Sequence, residues 1–189
     1  MDEETGRELL EFPAKDRRVE KCSADLLAQG NFIQTCSLMF RRNLVPDLSD
    51  GFRRLKLGDW PLCVLVGQHG QIGYIDRNMA TYRLHKSSIW SSRSMEYRIA
   101  AGLEMADYLI SKLSGNSRQL WVDFLLRGHW STFYDGLSSR RICTLYGAIK
   151  NLFTATFKYR KLELPMLAMR VTRILGSFCI RQALGRLFG

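Results

Sequence analysis

Acidic residues all but vanish from this sequence after Arg118, where only Asp123, Asp135 and Glu163 oppose a long series of Arg and Lys. The chain has 189 residues, a formal net charge of +10 and an isoelectric point near 9.7. The excess is uneven, since Asp2, Glu3, Glu4, Glu8 and Glu11 make the opening acidic. Such a balance suits nucleic acid, an anionic membrane surface or phosphorylated substrates, and charge alone does not choose among them. Paired cysteines are also absent. Cys22, Cys36, Cys63, Cys143 and Cys179 are widely spaced and form no C-x-x-C pair, which argues against a zinc site or a secreted disulfide framework. They read as reduced thiols of a cytoplasmic protein, behaving as small buried hydrophobes. The opening Met-Asp-Glu-Glu-Thr-Gly has no apolar core and is not a secretory signal. No run reaches the roughly 18 uncharged apolar residues of a membrane span. Internal repeats and low-complexity tracts are missing too. The length suits one domain, with or without an appended helical segment.

The patterning changes character near residue 92. Before it, residues 1 to about 30 read as an irregular lead-in with a short helix around Ser23 to Ala28. Phe32 to Phe40 is rich in apolar and β-forming residues and is expected to be a buried strand, stopped by Arg41 and Arg42 and by a turn at 46–51. A short helix is expected from Trp60 to His69, with Asp59 at its N-cap, Pro61 in its first turn and Gly70 closing it. Ile72 to Ile75 and Met79 to Leu84, joined by Asp76-Arg77-Asn78, look like a hairpin. After Trp90, apolar residues recur at helical steps: Met95, Ile99, Leu103, Ala106, Ile110 and Leu113 predict a helix ended by Ser114-Gly115-Asn116. Further helices are expected over 119–126, 139–159 and 165–187. The expected fold class is an α/β fragment over 1–92 followed by an all-α tail over 93–189.

The most informative stretch is Gly58-Asp59-Trp60-Pro61-Leu62, followed by Gln68-His69-Gly70-Gln71-Ile72-Gly73-Tyr74-Ile75-Asp76, then Met79-Ala80-Thr81-Tyr82-Arg83-Leu84-His85 and Ile89-Trp90-Ser91. Upstream stands Asn31-Phe32-Ile33-x-Thr35-Cys36-Ser37-x-Met39-Phe40-Arg41-Arg42. In order and spacing, over roughly residues 2–120, this resembles the acceptor-side, C-terminal half of bacterial family 2 glycosyltransferases. The resemblance implies the C-terminal half of a nucleotide-diphospho-sugar transferase fold plus C-terminal helices. It also implies inverting transfer of a sugar from a nucleotide sugar to an acceptor hydroxyl of a glycan or a lipid-linked molecule. A carboxylate within hydrogen-bond reach of that hydroxyl takes its proton during attack on the anomeric carbon. By resemblance that base is Asp59, in the place of the Asp that ends the family's Glu-Asp motif. Gly58 replaces the Glu, so an auxiliary carboxylate is missing. An Asp at a helix start is also worth about 1 kcal/mol as a cap, and the two roles are compatible.

The family also implies a divalent metal, Mg²⁺ or Mn²⁺, against the sugar diphosphate. His85, after the hairpin, is the metal-ligand candidate, since neutral imidazole is a competent ligand. His69 and His129 read as structural, and Trp90 and Arg83 as equally suited to packing, a strand edge, or the acceptor and phosphate side. The Asp-x-Asp that holds the family's metal is absent here, as is any strand–loop–strand block ahead of residue 30, so the metal site is expected to be incomplete. The opening itself resembles the stretch after the family's Asp-x-Asp strand, as though Met1 were internal to a longer frame. The expectation is therefore a truncated chain, inactive alone.

The last predicted helix places Arg170, Arg173, Ser177 and Arg181 on one face and Leu167, Val171, Ile174, Leu175 and Phe178 on another. A basic amphipathic helix of this kind lies on an anionic membrane or packs on its neighbours with a solvated charged face. The alternative function is thus a non-catalytic membrane- or partner-binding module, and the expected location is cytoplasmic, with peripheral contact at the inner face of the membrane. No helix-turn-helix, RNA-stacking or zinc-finger pattern accompanies the charge, so nucleic acid is not an expected partner.

Overall fold

Short polar side chains start the first turns. Ser23 Oγ accepts the backbone N–H of Asp25 at 3.1 Å and caps a 3₁₀ turn over Ala24–Gln29, whose Ala24, Leu27 and Ala28 are buried. In this computed structural model the described residues are 20–77, 80–81, 89–90, 92–139, 141–160 and 163–187, without the side chains of 142 and 177–187. Their elements are β1 (Lys21–Cys22), α1 (Asp50–Arg53), α2 (Asp59–Val66), β2 (Ile72–Gly73), α3 (Met95–Lys112), α4 (Gly115–Ser138), α5 (Ile142–Tyr159) and α6 (Leu164–Leu187), with 3₁₀ turns between the early ones.

The expected α/β fragment, and with it the half of a nucleotide-diphospho-sugar transferase fold, is not what forms. The protein is predominantly α-helical, and a two-stranded sheet is all the sheet among the described residues. The Phe32 to Phe40 segment is not a buried strand. Asn31 Oδ1 accepts the N–H of Ile33 at 3.0 Å, and Ser37 Oγ donates to the carbonyl of Gln34 at 2.9 Å, around a 3₁₀ turn at Thr35–Ser37. These local bonds give the backbone an alternative to strand pairing. Phe32, Ile33 and Leu38 are only half-buried, and Met39 and Phe40 point outward, Met39 being 85% exposed. The first arm of the expected hairpin does pair, but with an earlier segment: Lys21 opposes Gly73 and Cys22 opposes Ile72, antiparallel, and Tyr74 N–H continues to the carbonyl of Glu20 at 3.0 Å. Most of the second arm, including Met79 and Tyr82 to Leu84, lies outside the described residues.

The helical expectations fared better, with changed ends. Ser94 caps α3 by accepting the N–H of Tyr97 at 3.2 Å, and the helix buries Ala101, Met105, Ala106, Leu109 and Ile110 along one stripe. Each large apolar side chain buried in this way contributes about 1.5–3 kcal/mol. Gly115, at φ +54°, adopts the left-handed conformation that lets the chain restart at once as α4. α4 is three times the length expected from 119–126, because Trp121, Val122, Leu125, Phe133 and Leu137 stay buried along it.

The chain divides into two compact units, one reaching Phe124 and the other starting at Leu125. In the first, the Ala24–Gln29 turn is tied to the start of α4. Ser117 Oγ donates to Asp25 Oδ1 at 2.6 Å and Asn116 Nδ2 to Asp25 Oδ2 at 3.4 Å. In the second, Phe133, Leu137, Ala148, Leu152, Leu167 and Val171 form one buried cluster from α4, α5 and α6. Gly136 lets α5 approach α4 closely, since a Cβ there would stand 2.9 Å from the backbone N of Leu145.

Candidate functional site

Asp59 opens α2, which starts one residue earlier than expected. Gly58 is the N-cap, and Asp59 is the first helical residue, with Pro61 in the first turn as predicted. Both carboxylate oxygens are held. Oδ1 accepts the backbone N–H of Trp60 at 2.8 Å, and Oδ2 accepts the hydroxyl of Thr35. Thr35 belongs to the 3₁₀ turn that displaced the expected strand. The carboxylate is thus fixed on one side by its own helix and on the other by a turn 24 residues upstream. Asp59 is half-buried and Thr35 exposed, so solvent reaches this edge. A carboxylate at a helix N-terminus also contributes about 0.3–1 kcal/mol to the helix.

The residues after Asp59 anchor it. The Trp60 ring meets Trp121 and Phe124 edge-on, with centroids 5.9 and 5.6 Å away. Such pairs contribute about 0.5–1.5 kcal/mol each beyond their burial. That packing offsets a local cost, because the buried Nε1–H of Trp60 has no hydrogen-bond partner among the described residues. One turn further on, Cys63 is buried. Burial first, and the Asp59 charge second, push its thiol up to about 11. A thiol held in that way stays protonated at neutral pH and is no nucleophile.

Gly58, where the family motif has Glu, faces open space: a Cβ built there meets nothing within 4 Å. A longer side chain would therefore have room at this position. His85 and Arg83 lie outside the described residues. His69 is exposed at the end of the 3₁₀ turn Gly67–His69 that follows α2, and Trp90 is half-buried. Among the described residues no group of three or more His, Cys, Asp or Glu side chains is placed to hold a metal ion. The Mg²⁺ or Mn²⁺ that the resemblance implies therefore finds no ligand set among the described residues. Thr35 is the partner that sequence reading did not single out. Twenty-four residues separate it from Asp59, and no periodicity links the two; only its place in the Asn31 to Arg42 motif marked it.

No helix among the described residues is long and apolar enough to cross a membrane. No protein-family model matches the chain, and no solved structure matches it. Over 95 residues, half of this chain, it is 36% identical to an uncharacterized protein of Mycobacterium bovis and to uncharacterized proteins of two strains of Mycobacterium tuberculosis. The chain spans about a quarter, 27%, of the length of these curated relatives.

Proposed function

We propose that this chain supplies the acceptor-side base of an inverting glycosyl transfer, with Asp59 as that base. The observation that carries the reading is the carboxylate itself: half-buried, at the first position of α2, and oriented at both oxygens by Thr35 and by the Trp60 N–H. A general base works when it is held within about 2.6–3.2 Å of the proton it takes, and a carboxylate oxygen has a second lone pair left after one hydrogen bond. In the proposed step the acceptor oxygen bonds to the anomeric carbon as the bond from that carbon to the nucleotide diphosphate breaks. The diphosphate leaves with the bonding pair, and the hydroxyl proton passes to Asp59. This chemistry needs the carboxylate and its neighbours, not the α/β fold that the resemblance implied. On this reading donor turnover is expected only when a polypeptide that binds the nucleotide sugar is supplied.

The test is reconstitution. The chain is co-expressed with the remaining portion of one of the longer mycobacterial relatives, and transfer from a panel of nucleotide sugars to glycan and lipid-linked acceptors is followed by radiolabel. Transfer that Asp59→Asn lowers by the 10²- to 10⁴-fold typical of losing a positioned base supports the proposal. Full transfer by the Asn variant, or turnover of a nucleotide sugar by this chain alone, contradicts it.

A further inference from the structure

The outward faces of α5 and α6 carry a second kind of chemistry. From Leu125 to the end, eleven Arg and Lys oppose two acidic residues, Asp135 and Glu163. Glu163 is already neutralised, with Arg160 Nη1 at 2.6 Å from its Oε1. Neither α5 nor α6 contains an acidic residue. Solvated faces of soluble proteins usually intersperse both signs, so a face of one sign needs a counter-surface to account for it.

Large apolar side chains stand among these cations. Tyr146 and Phe157 on α5 are 72% and 58% exposed, and Met166 and Met169 on α6 are 60% and 65% exposed. On α5, Tyr146, Lys150 and Phe157 recur at helical steps along the exposed stripe; on α6, Met166, Met169, Arg170 and Arg173 do the same. None of them is the core-facing stripe. The apolar residues that suggested an amphipathic α6 point inward: Leu167 and Val171 are buried with Leu152, and Ile174 and Leu175 pack against that cluster. The Ser177, Phe178 and Arg181 side chains lie outside the described residues. The outer stripe of each helix is therefore separate from its core-facing one and carries both cationic heads and apolar tips, with Arg170 turned over the Trp130 ring at 4.5 Å.

We propose that the outward faces of α5 and α6 dock on an anionic phospholipid bilayer. Lys150 and Arg173 meet headgroup phosphates, and Tyr146, Phe157, Met166 and Met169 enter the boundary with the acyl chains. Charge complementarity selects a polyanion, and the apolar tips select a bilayer over nucleic acid, whose phosphate backbone offers them no apolar phase. This docking does not depend on glycosyl transfer at Asp59.

The test sediments the purified full chain with phosphatidylcholine vesicles, with and without a third of phosphatidylserine, at low and high salt. Binding is expected only with phosphatidylserine, and it is expected to weaken as salt screens it. Each of Lys150→Gln and Arg173→Gln should weaken it about fivefold. Tyr146→Ser with Met169→Ser should lower vesicle binding several-fold while leaving any binding to duplex DNA unchanged, which a purely electrostatic surface would not do. Circular dichroism of every variant checks that the helices remain. Three outcomes would overturn the proposal: no binding by the folded chain at low salt, equal binding to phosphatidylcholine alone, or displacement from the vesicles by duplex DNA at equal phosphate.

Discussion

Gly67 closes α2, and substituting it tests how tightly that helix is seated. A Cβ at Gly67 would stand 2.6 Å from Ala24 Cβ, with Ala24 Cα and Ile72 Cδ1 each at 3.6 Å. Carbon atoms rest about 3.5–4.0 Å apart, so Gly67→Ala overlaps a methyl that cannot rotate away by about 1 Å. Overpacking of this size costs about 1–3 kcal/mol. The entropy that Ala saves over Gly returns at most about 1 kcal/mol, leaving a net loss near 1–2 kcal/mol. Ala24 is 1% exposed, so Ala24→Gly alone loses one buried methyl and gains backbone freedom, about 1.5 kcal/mol together. The double variant relocates the methyl across the contact and should return to within about 1 kcal/mol of the parent. The assay is urea unfolding followed by tryptophan fluorescence, with the m-value checked for constancy. If the two losses add within about 0.5 kcal/mol, α2 does not rest on the Ala24–Gln29 turn at this distance and the packing argument fails.

Gly136→Ala should cost about 2–3 kcal/mol and resist rescue by any single neighbour. Its Cβ would meet backbone, Leu145 N at 2.9 Å and Leu145 Cα at 3.0 Å; unfolding followed through Trp130 checks this. The Cys63 thiol is raised from 9.0 to about 11, so between those pH values the unfolded chain loses the proton first. The protonated thiol's contribution is full below pH 9 and lost as pH rises through 11, about 2–3 kcal/mol in all. The stability difference between Cys63→Ala and the parent, measured by urea unfolding from pH 8 to 11, should shift in favour of the variant by that amount. Gly58→Glu should fold with unchanged or slightly raised stability, since its Cβ meets open space and leaving Gly restricts the unfolded chain; a midpoint loss above about 1 kcal/mol would contradict that. Thr35→Val removes the hydroxyl on Asp59 Oδ2. In the reconstituted transferase it should lower kcat with little change in KM for the donor, whereas a merely structural threonine would lower the midpoint and leave kcat alone.

Local chemistry was legible wherever the signal was itself local. Ser23 and Pro61 marked real helix starts, and the three- and four-residue recurrence from Met95 to Leu113 marked α3 as a helix, although Met95 is exposed and the buried stripe runs through Ala101, Met105, Ala106, Leu109 and Ile110. Legibility ended where partners are distant. Nothing in the 32–40 stretch says whether another strand will pair with it, and in the absence of one, the Asn31 and Ser37 side chains decided the backbone. The same holds for Ile72, which pairs with Cys22 across fifty residues instead of with the arm next to it. A short apolar run specifies burial or pairing only in company, and its company is a property of the whole chain.

The sequence by itself determined the charge of the second half, the helical periodicity beyond Trp90 and the presence of an acidic residue ahead of Trp60-Pro61. Each of these is a matter of residue type and spacing along the chain. Only the tertiary structure decided which apolar stripe of α6 is spent inside its own unit and which side chains are left outside, because amphipathicity names a face without naming what covers it. It alone brought Thr35 to Asp59. That contact comes from how a 3₁₀ turn and a helix pack, and packing is set by volumes and distances that no spacing in the sequence records.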